Sequence, residues 1–400
     1  MAKTEPKESI EIDVVGNSLH LSMKDGPRTR GIKISLVRTL RIPDDDKIYP
    51  LPAGLGMFPI KRVEDYKEKV PKSWLEHGGV FFPMWQREAM WMSFGQDVSC
   101  PFAMKVAAGK INAISGETWT KELKAKNGDI QDYAVSPPQA WIDGFNVGKE
   151  VIRQFVSMPL GMGYTVEGQI TGKEEFGGIQ IQVYPIKKEH RKDPSSSGIL
   201  RGMTLTGGAG GMTSGAGGVI NYGGEVPTSG MALVSETSVN GAYMYSAGSI
   251  EGLERGISTK ALKSAEMGLA SGGRITQKIY EDPHGVDSWN QDIEGGKIFI
   301  HIVNSEMWKQ ITGEVNPPSP ISKEAYKTHG IPWFGMYDEG VPAVEGSTKL
   351  AGTKSVSEKD KEHNFSGQMD NESLEAVPSV KIPVKMSEVQ NKTKVKDGSW

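Results

Sequence analysis

Near the start of the chain apolar residues recur at every second position, and that rhythm constrains the fold more than any other feature. Ile10, Ile12 and Val14 lie before a Gly16-Asn17 pair, and Leu19, Leu21 and Met23 lie after it. A period of two sends successive side chains to opposite faces of a strand, and glycine tolerates the positive φ of a tight hairpin turn. Ile32, Ile34 and Leu36, then Leu40 and Ile42, extend the pattern. Residues 1–47 therefore read as an N-terminal β unit, followed by a proline-bearing hinge at Pro50 and Pro52.

The rhythm returns further on. Phe102, Met104 and Val106 alternate up to a Gly109-Lys110 break, and Ile111 and Ala113 resume it. Residues 151–158 read as a strand, and residues 164–171 and 179–186 as a pair of strands. In the second of that pair, Ile179, Ile181 and Val183 alternate with Gln180, Gln182 and Tyr184. This predicts one buried and one solvated face, hence antiparallel pairing. Residues 298–303 form an apolar strand that carries His301.

Helices are expected between the strands. Pro83 suits a first helical turn, and Trp85, Ala89 and Met92 then fall on one stripe at i, i+4 and i+7. Ser258 caps a helix-like run over 259–269 that ends at Gly272-Gly273. Asn304 or Ser305 caps a short helix through Ile311, stopped by Gly313, and Ser319-Pro320 opens another that Gly330 ends. Strands dispersed among short helices give an α+β fold, mainly antiparallel β with several short helices.

Glycine supplies 49 of the 400 residues, and ten of them crowd into 202–224, where no Lys, Arg, Asp or Glu occurs. Such a stretch buries little side-chain area, so 201–230 reads as a glycine-rich loop. It divides one β-rich core into 48–200 and 231–345. Asn240-Gly241 marks a hairpin after it. Residues 346–400 are polar and charged and are expected to form a disordered tail.

Composition excludes several classes of function. Lys+Arg 46 against Asp+Glu 49 leaves a net charge of -3, unlike a dedicated nucleic-acid binder. The first residues lack a signal-peptide core, and no run of ~18 apolar residues predicts a membrane span. One cysteine, Cys100, cannot form an internal disulfide. A cytoplasmic setting is the expectation. The glycine-rich stretch lacks the lysine of a phosphate loop and the third glycine of a dinucleotide fingerprint. No Gly-x-Ser-x-Gly elbow and no His-Glu-x-x-His helix occurs.

Two constellations remain. Asp282, His284 and Asp287 crowd a Pro/Gly loop, with His301 nearby in sequence. Two carboxylates and an imidazole are competent ligands for a divalent metal, and His284, His301 and Asp282 are the candidate catalytic groups. The same residues also suit a solvated turn, because Asp side chains cap turns. His301 reads equally as a satisfied core histidine. Trp333, Tyr337 and Asp338 form an aromatic group beside an acid, suited to ligand binding or to sealing the core.

The segments FFPMWQREAMWMSF, MPLGMGYTVEGQITGKEEFGGIQIQVYP, MGLASGGRITQKIYEDPHG and IHIVNSEMWKQITGE together resemble a widespread set of uncharacterised soluble microbial proteins. The resemblance spans roughly residues 40–190 and 265–355, leaving out low-complexity parts of the kind that commonly vary. It implies one folded body interrupted by a loop, and no activity, cofactor or residue role. Three functions follow as expectations. The first is a non-catalytic binding or self-assembling structural protein, a homo-oligomer or one with a small-molecule or protein ligand. The second is a metal-assisted hydrolase using Asp282, His284, Asp287 and His301. The third is a membrane-inserting protein acting through 202–246.

Overall fold

The computed structural model describes residues 7–45, 47–95, 97, 99–125, 131–192, 266–320, 326, 333–334, 341–363, 379–380 and 393–400. The glycine-rich loop, the Asn240-Gly241 hairpin, the 202–246 segment and residues 259–265 lie outside them. So does the expected helix after Ser319-Pro320, apart from Tyr326.

Ten long strands carry the fold. They are β1 (Ser9–Val15), β2 (Ser18–Asp25), β3 (Arg28–Thr39), β4 (Val80–Met84), β5 (Ala89–Phe94), β6 (Phe102–Ala108), β7 (Val151–Pro159), β8 (Ile179–Pro185), β9 (Glu266–Thr276) and β10 (Lys297–Asn304). The hairpin read at Gly16-Asn17 forms: Ile10 pairs with Met23 and Val15 with Ser18, and Gly16 takes a φ of 58°. From β3 the sheet continues antiparallel through β5, β7 and β9. Strands from either side of residues 193–265 thus pair directly. The described sheet is mainly antiparallel and curls as a half-barrel with a few short helices.

The sheet branches at β10. Along one edge, Ile302 and Val303 pair with the start of β9, while Lys297 to Ile300 pair with β8, which in turn pairs with β6. Along the other edge β10 pairs in parallel with β4. Gly178 sits in the fork with a φ of +54°, and a Cβ there would lie 2.6 Å from the Ile300 carbonyl oxygen. Just before β10, Glu294 and Gly295 run parallel to Ser9 and Ile10 of β1. The far end of the sheet therefore returns to its first strand. The main core fills the space enclosed, from Ile12, Leu21 and Ile34 through Met92, Met104 and Ile181 to Ile300.

Five expectations change. Residues 83–92 are not helical: Pro83 and Met84 end β4, and Ala89 opens β5. Phe81, Phe82, Met90 and Met92 are all buried, and an apolar run buried on every side carries no period that separates strand from helix. The turn places Arg87 at a φ of 67°. The Glu88 carboxylate fixes it, accepting from the Trp85 amide (2.8 Å) and from Arg38 (2.6 Å). Residues 164–171 are not a strand: Thr165 caps helix Val166–Thr171, which a left-handed Gly172 ends. Residues 266–269 open β9 instead of closing a helix. The helix expected after Asn304 does form, over Ser305–Thr312, with the Asn304 side chain accepting from the Glu306 amide.

The face of β8 expected to meet water is also buried. Loops cover it, and its polar side chains hold them. Gln180 accepts from the Lys110 amide and donates to the Gly177 carbonyl. Gln182 donates to Gly295, and the Tyr184 hydroxyl to Lys121. On β7, Gln154 bonds the Leu40 carbonyl and the Ile42 amide, continuing the ladder with a side chain. Of residues 346–400, the part at 346–363 forms helices Thr348–Ala351 and Val356–Glu362. Leu350 and Val356 are fully buried, and Arg87 binds Asp360 through both nitrogens (2.8 and 2.6 Å). No helix among the described residues is long and apolar enough to cross a membrane.

Asp143 lies wholly inside, held by Gln277, which donates to its Oδ1 at 3.0 Å and accepts from its amide at 2.9 Å. Burial lifts its carboxyl to about 7, against the opposing hydrogen bond from Gln277. The folded chain then holds a proton that the unfolded chain, titrating near an ordinary Asp pKa of about 3.9, has released. This group's contribution therefore weakens as pH rises from about 4 to 7, by up to roughly 4 kcal/mol, and is flat above that. Asp143→Asn keeps the acceptor for Gln277 and should remove the slope. Urea unfolding of both proteins across that window measures it, and equal slopes would contradict the assignment.

Candidate functional site

The loop bearing Asp282, His284 and Asp287 is built as a capped turn. Asp282 Oδ2 accepts from the Tyr133 hydroxyl (2.6 Å) and the Trp289 indole nitrogen (2.8 Å). Its Oδ1 accepts from the His284 amide (2.8 Å), and its own amide donates to Gln131 (2.8 Å). Burial, and then the Asp282 carboxylate, push the Tyr133 hydroxyl well above its ordinary pKa. His284 and Asp287 are exposed, and the His284 ring meets Trp289 edge-on at 5.5 Å. Among the described residues, no group of three or more His, Cys, Asp or Glu could hold a metal ion. The metal-assisted reading therefore has no ligand set there.

Trp333 is buried against Tyr326 (5.5 Å between ring centroids) and Tyr49 (6.4 Å), where it closes a small cluster. Tyr337 and Asp338 lie outside the described residues. Cys100 is buried, and burial pushes its thiol up to about 12, which makes it a packing residue at neutral pH.

His301 belongs to a column of rings. β10 turns Phe299 and His301 to the same face, as a period of two requires. Helix Lys72–His77 and the Gly78-Gly79 turn after it bring Trp74 and His77 onto that face. The rings stack, with Trp74 to His301 at 4.6 Å, His301 to Phe299 at 4.3 Å and Phe299 to His77 at 4.5 Å. His301 is 1% exposed, and its Nε2–H donates to the Gly78 carbonyl at 3.0 Å. Burial holds its pKa well below the usual imidazole value, so the ring is neutral and serves as a packing and turn-fixing group. Burial, and then the charge of Lys110, also lower the pKa of His77.

The end of the chain lies against this column. Thr393 and Lys394, here β11, pair antiparallel with Val14 and Asp13 of β1. The Val395 amide donates to the Ile12 carbonyl (2.5 Å), and the Gly79 amide to the Lys396 carbonyl (3.0 Å). Asp397 bridges to Gly78. Arg62 donates to the Lys394 carbonyl (2.7 Å), and the Lys394 ammonium meets Glu11 at 2.7 Å. Trp400 packs edge-on to Phe299 (5.7 Å) and against Trp119 (5.2 Å), with the Lys297 ammonium 4.7 Å over its ring. The backbones come very close: a Cβ on Gly398 would lie 1.9 Å from the His77 carbonyl oxygen. Where the edge of β1 passes from residues 294–295 to β11, a cavity of about 210 Å³ opens between Ile10, Ile12, Gly296 and Val395.

Comparison with family models, with curated proteins and with solved structures finds no match. The groove is therefore described by its own geometry. Residues 393–400 fill it, and it gives them one edge of β1, the Gly79 amide and an aromatic platform beside Lys297. Sequence reasoning missed it. The available signal was Trp400, a large aromatic after a polar tract, preceded by Val395 between two lysines.

Replacing Asp282 with alanine leaves the Tyr133 hydroxyl and the Trp289 indole without their acceptor. Each buried orphan costs about 1–3 kcal/mol. Asp282→Ala is expected to lose roughly 2–4 kcal/mol in urea unfolding. A loss below about 0.5 kcal/mol, the scatter of neutral surface changes, would show that the turn does not depend on it.

Proposed function

We propose that the protein works by binding, without catalysis, and that its groove captures an extended chain segment by strand addition. The observation that carries this reading is the docking of 393–400. A sheet edge supplies main-chain affinity, and pockets for alternate side chains supply selectivity. Here the ladder runs along Asp13 and Val14, Val395 turns toward the core and Trp400 anchors the far end. A half-buried tryptophan combines a large apolar area with little conformational entropy to lose. The Lys297 ammonium over its ring and the Lys394–Glu11 pair set direction and register.

The site favours binding over hydrolysis for a further reason. His301, the group best suited to be a base, is sealed and hydrogen-bonded to the turn that forms the groove. Asp282, the best-placed acid, is spent on three donors.

A labelled peptide with the sequence of residues 391–400 tests the reading in fluorescence anisotropy against the full chain carrying Trp400→Ala. Weakening the resident segment should open the groove, giving saturable binding. The same peptide with its tryptophan replaced by alanine should bind at least tenfold more weakly, about 1.4 kcal/mol. No saturable binding, or equal binding of the two peptides, would overturn the proposal.

A further inference from the structure

Resting on that reading of the groove, we infer that its partner is the C-terminal segment of a second copy of this chain, exchanged when copies are concentrated. Every contact of 393–400 described above is made between the segment and the groove, so each is made unchanged when the two belong to different molecules. This is the condition under which exchange of an identical element links protomers at low cost.

The chain is long enough. Residues 379–380 pair with 333–334, and twelve residues, 381–392, join that pairing to Thr393. At about 3.3–3.6 Å per residue they reach up to roughly 40 Å. A folded body of about 270 residues has a radius of gyration of roughly 19 Å and so a diameter near 50 Å. The segment can therefore enter a neighbour's groove that lies beside the contact between the two bodies.

The docking is also shallow. Lys394, Lys396, Asp397 and Ser399 are exposed, and Val395 and Trp400 are only half-buried. Few side chains must leave the interior for the segment to withdraw. Once it withdraws, the edge of β1 at Asp13 and Val14 presents unpaired backbone groups, which recruit another strand. Reciprocal exchange caps both edges and closes a two-fold dimer. The tether favours the chain's own groove at high dilution, and the balance moves toward the neighbour as copies approach its effective concentration.

The Lys394–Glu11 ion pair gives a direct test with the full chain. Equal amounts of isotopically light and heavy protein are mixed at ~1 µM, a portion is concentrated to ~1 mM, near the effective concentration of a short tether, and a carbodiimide joins the two side chains as an amide. Mass spectrometry of the linked peptide then separates same-isotope from mixed pairs. The inference expects mixed pairs to rise with concentration toward half of the total, while light scattering moves from one copy toward two. Trp400→Ala should lower the total yield of the link at least tenfold and leave the mixed share of what remains unchanged. Only same-isotope pairs at every concentration would overturn the exchange and leave the groove reading intact. No Glu11–Lys394 link at any concentration would overturn both.

Discussion

Hydrogen bonding on both edges of β10 is the constraint on which the rest of the molecule depends. One edge carries two different strands in succession, the start of β9 and then β8, and the other carries β4 in parallel. A strand saturated in this way cannot slip, because a one-residue shift would turn Ile298, Ile300 and Ile302 out of the core and His301 into it. The fork also decides where loops go. It sets Gly79 beside Phe299, and it starts from the residues that return to β1. The groove exists because residues 294–295 cover half of one edge of β1 and leave the other half to β11.

The second organising device is the buried amide side chain. Gln131, Gln139, Gln154, Gln180, Gln182 and Gln277 are all buried and bonded to main chain. Gln154, Gln180 and Gln182 project from strands, and the others lie between strands and bond a neighbouring segment. An unpaired backbone group there would cost about 1–3 kcal/mol, whereas a satisfied one contributes about 1 kcal/mol net. The amides thus let loops lie against both faces, and strands that alternate apolar and polar become buried on each side. Asp143 belongs to the same scheme, and its near-neutral pKa is the cost of placing a carboxyl among them.

Local signals in the sequence were sufficient where local chemistry decides. The Gly16-Asn17 hairpin and the Asn304-capped helix are each fixed by residues within a few positions, and each was legible. Residues 83–92 and 164–171 were not. The first carries apolar residues at a helical spacing, but its two ends belong to separate strands buried on both faces, and a carboxylate fifty residues from its Arg38 partner sets the turn. The second depends on Thr165, whose capping role competes with a plausible strand pattern. His301 was legible as either a core or a catalytic group, and only the ring column separates the two. The groove was hidden for a deeper reason. It joins residues 11–14, 62, 76–79, 297–299 and 393–400, and no one segment displays it.

The central claim is that the β10-centred sheet is complete in itself and that residues 393–400 are a separable strand added to it. Native-state hydrogen exchange tests this most directly, because local openings and global unfolding expose different amides. The account predicts that the Val395 and Gly79 amides, bonded across the added strand, exchange through a local opening far faster than the amides linking β7 to β9. Protection of Val395 and Gly79 equal to that of β7 and β9 would contradict it, since the segment would then unfold only with the whole.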